Sequence, residues 1–200
     1  MNKDIAATIH DIKLELRANM NGVASAAMRQ TADYRVNFGV ELPRLQAIAA
    51  DYQPDSKLAC ALWKESVREC RILATMLMPD GAFDADLCDV WAEDIKTVEL
   101  AQIFAMYLVR RMPYASQKAF EWVAGDRLTL RILGYTTMCH VLRRAEMNER
   151  SADELLDHLA CDIHTGEHTL QAAAAKTLQI YAGQGAKQAR QAKKVADYLF

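Results

Sequence analysis

The chain has 200 residues, 52% of them hydrophobic, with 24 Lys+Arg against 26 Asp+Glu for a net charge of −2. That length suits one domain or one continuous repeat array, and the apolar content excludes both a disordered chain and a mini-protein that needs disulfides or metal to fold. The balance is not the basic one of a typical nucleic-acid binder, so such a role would need its cations gathered on one face. The five Cys (60, 70, 88, 139, 161) form no CxxC pair, and an odd number of thiols in apolar patterns points to a reducing, cytoplasmic setting. The first residues, MNKDIAATIHDIKLEL, are amphipathic and interrupted by charge, unlike a signal peptide. The absence of an 18-residue apolar run argues against a membrane span.

Four Pro and eight Gly punctuate a sequence rich in helix formers, and no segment alternates with period two for long. The pattern predicts about a dozen helices and no sheet. Asn2 to Ala18 sets Ile5, Ile9, Ile12 and Leu16 on one stripe. A small-residue helix, Val23 to Gln30, precedes a connection fixed by Phe38-Gly39. Pro43 suits the first turn of a helix near 43–51, and helices near 56–64 and 67–78 follow. Pro79-Asp80-Gly81 stops the chain, and Asp84 or Asp86 caps the next helix, through Trp91. Thr97 caps another, with Glu99 in its first turn and Arg110-Arg111 in its last, where positive charge complements the helix dipole.

Beyond Pro113, a helix over Ser116 to Val123 and a long apolar one over Leu128 to Leu142 are separated by Gly125-Asp126. Ser151-Ala152-Asp153-Glu154 reads as a capping box. Helices near 167–182 and 186–199 complete the chain. Short connections and many helices predict an all-α fold: a superhelical stack of antiparallel helix pairs, a HEAT-like or ARM-type α-solenoid with roughly 40 residues per pair, as a single domain over 1–200. Spacing alone does not separate this from an irregular all-α domain.

Several residue groups invite a chemical reading. Arg68, Arg71, Arg110, Arg111, Arg127, Arg131, Arg143 and Arg144 gather near helix ends, and Lys187, Arg190, Lys193 and Lys194 form a C-terminal group. They read either as a phosphate-binding stripe or as solvated helix faces neutralised by Glu65, Glu69, Asp94 and Glu121. Trp63 and Trp122 sit in apolar contexts and read as packing residues. Trp91 has mixed neighbours, which suit a groove or a partly buried position. His158, Cys161, Asp162, His164, Glu167 and His168 have zinc-ligand chemistry without the spacing of a tight site, so no metal is expected. The phosphate-binding and serine-hydrolase glycine motifs are missing, and no cofactor is expected.

The stretch Phe38-Gly39-Val40-Glu41-Leu42-Pro43-Arg44-Leu45, then Leu62-Trp63, then Arg68-Glu69-x-Arg71-Ile72-Leu73-Ala74, resembles the AlkD-like DNA alkylation repair family of HEAT-repeat DNA glycosylases. The resemblance spans roughly Ala24 to Arg144. It implies helix pairs presenting a concave electropositive face that grips duplex DNA by its backbone, and release of N3- or N7-alkylated purines without a base pocket. The family's catalytic carboxylate lies in a segment like W-D-x-V-D, matched here by Ile95-Lys96-Thr97-Val98-Glu99. The resemblance thus implies Glu99 as the catalytic group, with Ile95 at the tryptophan position and Trp91 one turn earlier. The expected DNA contacts are Arg68, Arg71, Arg110, Arg111, Arg131 and Trp91, with Arg131 matching a later arginine of the family in what the resemblance implies.

In such chemistry the leaving base is already cationic and needs no general acid. A carboxylate stabilises the oxocarbenium-like sugar and orients water. Two functions follow as expectations: an alkylation-repair glycosylase acting on alkylated duplex DNA, or a non-catalytic HEAT-like scaffold that binds nucleic acid or a protein partner.

Overall fold

In the computed structural model, which describes residues 5–31, 34 and 36–200, side-chain caps open several of the helices. Asp55 accepts a hydrogen bond from the Leu58 amide at 2.8 Å, Asp84 from Leu87 at 2.8 Å and Thr97 from Leu100 at 3.3 Å, each at the start of a helix. The described residues hold twelve α-helices: α1 Ile5–Ala18, α2 Gly22–Thr31, α3 Leu42–Ala50, α4 Ser56–Trp63, α5 Arg68–Leu77, α6 Ala85–Glu93, α7 Val98–Tyr107, α8 Ala115–Val123, α9 Leu128–Leu142, α10 Glu149–Asp162, α11 His168–Ala182 and α12 Ala186–Val195. The predicted start of the first helix, at Asn2, lies outside the described residues. The β-structure described is an isolated parallel bridge between Val36 and Val67.

Three boundaries differ from the sequence expectation. Asn148, not Ser151, caps α10: its Oδ1 accepts from the Ser151 amide at 2.9 Å, so the helix begins earlier and Ser151 lies within its first turn. Arg110 and Arg111 are not in the last turn of α7, which ends at Tyr107. They fall in a separate 3-10 turn, Val109–Arg111. The last helix stops at Val195, ahead of a 3-10 turn over Asp197–Leu199.

The chain divides into two compact units, Met1–Leu108 and Val109–Phe200. In the first, α5 is the hub, packing on α3, α4 and α7. Its apolar face (Cys70, Ile72, Leu73, Leu77) is buried, and so, unusually, are Arg68 and Glu69. Ile12 and Leu16 of the α1 stripe are fully buried. Gly39 lies at φ +68°, and a Cβ there would sit 2.3 Å from the Asn21 carbonyl oxygen, so the turn before α3 admits only glycine.

In the second unit α9 is central, packing on α8 and α11, which explains its burial nearly all round. Gly134 lets α8 approach: a Cβ would lie 2.8 Å from the Ala119 carbonyl oxygen. Both units are built of antiparallel helix pairs on short connections, as in HEAT-like repeats. Among the described residues no helix is long and apolar enough to cross a membrane.

Candidate functional site

The site begins with the turn before α3. Glu69, fully buried, accepts hydrogen bonds from the backbone amides of Phe38 (3.1 Å) and Val40 (3.3 Å). The Arg68 amide donates to the Val36 carbonyl at 3.0 Å, tying the same segment to the start of α5. Arg68, 3% exposed, then spans from this turn to α7. Its Nη1 donates to the Val40 carbonyl (3.1 Å) and Glu69 (3.0 Å), its Nε to Oε2 of Glu99 (2.8 Å), and its Nη2 to Oε1 of Glu99. Four of the five guanidinium N–H donors are thus spent inside the protein.

Glu99 stands in the first turn of α7, as expected from sequence, and about a third of its side chain (35%) is exposed. Tyr34 donates its hydroxyl hydrogen to Oε2 at 2.6 Å. With that proton committed, the Thr97 hydroxyl donates to the Tyr34 oxygen at 2.8 Å, while the same Thr97 oxygen caps α7. Burial works against ionisation of Glu99, but the Arg68 hydrogen bonds, the Tyr34 hydroxyl and the Arg68 charge together hold its carboxyl below the ordinary value. Burial and the bond to Glu99 push the Tyr34 phenol well above its usual range. Arg68 is desolvated, yet its two carboxylate partners make it a firmer cation than usual.

Beside this triad opens a cleft of about 290 Å³, lined by Tyr34, Arg68, Arg71, Asp94, Lys96 and Thr97 among others. Arg71 donates to the Glu65 carbonyl (3.2 Å) and the Asp94 carbonyl (3.3 Å), and its guanidinium lies 5.5 Å from the centre of the Trp63 ring. Lys96 is exposed.

Trp91 does not serve as the DNA contact expected of it from the sequence. Trp91 is 3% exposed and stacks on Trp63 with ring centres 4.3 Å apart and planes within 6°. Phe83 and Phe104 complete the cluster, and Ile95 is fully buried. These rings form core, where edge and face contacts stabilise packing, and as placed Trp91 offers no face to a ligand.

The structure therefore brings Glu99, Arg68 and Arg71 together. Arg110, Arg111 and Arg131 belong to the second unit. There Arg131 ion-pairs through Nη2 with the buried Asp162, which also accepts from the Tyr135 hydroxyl at 2.6 Å. That pairing ties up Asp162, a member of the His- and Cys-rich group seen in the sequence. Among the described residues no cluster of three His, Cys, Asp or Glu is placed to hold a metal ion. Sequence reasoning missed Tyr34, which reaches Glu99 across 65 positions, and the bracing role of Glu69. The adjacent Arg-Glu pair at the start of α5 was the available signal.

No curated protein matches the sequence. Among solved structures the chain is similar to one described as "a new family of proteins related to the HEAT-like repeat DNA glycosylases with affinity for branched DNA structures". The TM-score is 0.84 at 17% identity, over 95% of this chain and 82% of that one. At that identity the likeness is one of fold, and it makes the architecture a HEAT-like α-solenoid. The family model described as "DNA alkylation repair enzyme" matches residues 12–194. That match spans the Gly39 turn, the Arg68-Glu69 pair and the Glu99 helix alike, and the chain belongs to the DNA alkylation repair enzyme family.

Proposed function

We propose that this protein binds DNA through its phosphate backbone and does not excise alkylated bases. The observation that carries the second half is the clamp on Glu99. Both of its oxygens accept hydrogen bonds from Arg68, and one also from Tyr34. A carboxylate whose charge is already spent on a buried guanidinium is poorly placed to stabilise an oxocarbenium sugar, because catalysis needs the charge aimed at the reacting centre. The aromatic position beside it is filled by the buried Ile95.

Backbone binding is supported by family membership and by Arg71 and Lys96 at the rim of the cleft, where each offers a cation to a phosphate oxygen. The solved relative is described as having affinity for branched DNA, so four-way junctions belong beside linear duplex among the test ligands. The test is a titration of labelled duplex and junction DNA at two salt concentrations. Binding that weakens steeply with salt is expected, and none at low ionic strength would overturn the reading.

A second reading, base release by Glu99, draws on two facts: the carboxylate is held ionised and a third of it reaches solvent. A protein partner for the same surface is the outcome to pursue if DNA does not bind.

A further inference from the structure

Arg68 and Arg71 stand one helical turn apart at the start of α5, in opposite surroundings. Arg68 is buried, faces two carboxylates and uses four of its five N–H donors inside the protein. Arg71 is half-buried and lines the cleft. Its Nε donates to the Glu65 carbonyl at 3.2 Å and its Nη1 to the Asp94 carbonyl at 3.3 Å. Both are long bonds to neutral oxygens, and among the described residues no carboxylate pairs with this guanidinium. Three of its five N–H groups, one on Nη1 and two on Nη2, remain for a ligand.

Three places in the fold fix that guanidinium. Glu65 lies in the turn between α4 and α5, and Asp94 caps the C-terminal end of α6. Trp63, the last residue of α4, supplies an indole whose centre is 5.5 Å from the guanidinium carbon. The indole is itself held by the stacked ring of Trp91 at 4.3 Å. A cation over an indole is attracted by the ring quadrupole, and a planar guanidinium gains more than an ammonium because it also stacks. An arginine loose in solvent loses rotamer entropy when it binds, whereas the orientation of Arg71 is set before a ligand arrives.

We infer that Arg71 is the ligand-binding arginine of the pair and Trp63 a positioning residue for it, so that the cleft selects its anion by a fixed planar fork rather than by charge alone. The inference rests on the DNA-binding function proposed above, and it withdraws Arg68 from the DNA contacts expected from the sequence. The unused edge of the Arg71 guanidinium, Nη1 with Nη2, matches the two unesterified oxygens of a phosphodiester. Arg71→Lys keeps the charge but has neither the plane nor the fork.

The experiment measures binding of a short labelled duplex across a salt series by wild type, Arg71→Lys, Trp63→Phe and Trp91→Phe, with a urea midpoint taken for each. Arg71→Lys should bind about 3- to 10-fold more weakly yet keep the log–log salt slope of wild type, because the same number of phosphates is neutralised. Trp63→Phe, with a ring that attracts a cation less, should weaken binding in the same direction. Trp91→Phe disturbs the same aromatic core but takes no ring from under Arg71, so it should lose stability and keep wild-type affinity. DNA should also shift the tryptophan emission of wild type, since an anion on Arg71 changes the charge beside Trp63, and the shift should vanish in Trp63→Phe. Arg71→Lys binding as tightly as wild type would show that charge suffices and overturn the inference. Equal losses of affinity for Trp63→Phe and Trp91→Phe would make Trp63 an ordinary core residue and overturn it too. If wild type binds DNA and these effects are missing, the inference falls and the proposed function stands. If wild type binds no DNA at low ionic strength, both fall together. Arg71→Lys decides the matter if a tryptophan variant does not fold.

Discussion

Arg68 grips Glu99 by both oxygens, Nε to Oε2 at 2.8 Å and Nη2 to Oε1, while its other face holds Glu69 at 3.0 Å. One buried cation thus links the Gly39 turn, the start of α5 and the start of α7. Removing it as Arg68→Met would leave the fully buried Glu69 facing loop amides without a counter-charge. Breaking a buried pair in this way typically costs about 3–5 kcal/mol. Urea denaturation should show a loss of that order, larger than for Glu99→Gln, where Arg68 keeps Glu69. Equal losses would mean that Glu69 does not need Arg68.

The same pair sets an acid response. The folded-state carboxyl of Glu99 titrates below its ordinary value of 4.5. A depressed value contributes stability that is present above the unfolded-state pKa and is lost as pH falls through the folded one. Wild type should therefore lose stability on acidification from about pH 4.5 downward, more steeply than Glu99→Gln, as followed by urea midpoints at stepped pH. Parallel acid profiles for the two proteins would contradict the ion pair.

Much of this architecture is readable in the chain, and the exceptions are physical. The helix over Leu128–Leu142 coincides with its apolar run, and Asp84 and Thr97 cap as their positions suggest, because these are local effects within a turn or two. Ser151 misled because a better-placed side chain, Asn148, stands three residues earlier and reaches the same helix's amides first. Glu99 was legible as a first-turn acid, but its clamp was not: Tyr34 and Arg68 come from 65 and 31 positions away, and no local pattern encodes such meetings. Trp91 was ambiguous for the same reason. Its polar neighbours in sequence do not reveal that Trp63 stacks on its face.

The Gly39 turn is the most exacting backbone position. Its φ of +68° disfavours any side chain, and a Cβ would meet the Asn21 carbonyl oxygen at 2.3 Å. Gly39→Ala should destabilise by more than the ~1 kcal/mol typical of a left-handed position, since backbone must also shift. Thermal unfolding against wild type checks this, and a change within experimental error would show that the turn has room to adjust.

In the second unit Asp162 is held by Arg131 and by the Tyr135 hydroxyl at 2.6 Å. Asp162→Asn keeps the shape but removes the charge, and should cost about 1–3 kcal/mol as the charge-assisted bonds weaken. Metal added to wild type should leave stability unchanged, because Asp162 serves this internal pairing. Stabilisation by zinc in wild type that is absent in Asp162→Asn would contradict that role.

At the cleft, Arg71→Gln and Lys96→Gln should each weaken DNA binding. Each should also flatten the salt dependence, by ~0.9 in the log–log slope for every phosphate no longer neutralised. Filter binding or anisotropy across a salt series reads this directly. Unchanged slopes would move the backbone-binding surface elsewhere on the protein.

The claim at the centre is that the clamped Glu99 is not a catalytic carboxylate. Base release from methylated duplex DNA, wild type beside Glu99→Gln, tests it most directly. The expected result is that neither protein frees alkylated purine above the uncatalysed rate, although wild type binds the DNA. Release by wild type that Glu99→Gln abolishes would contradict the account and return Glu99 to the reaction.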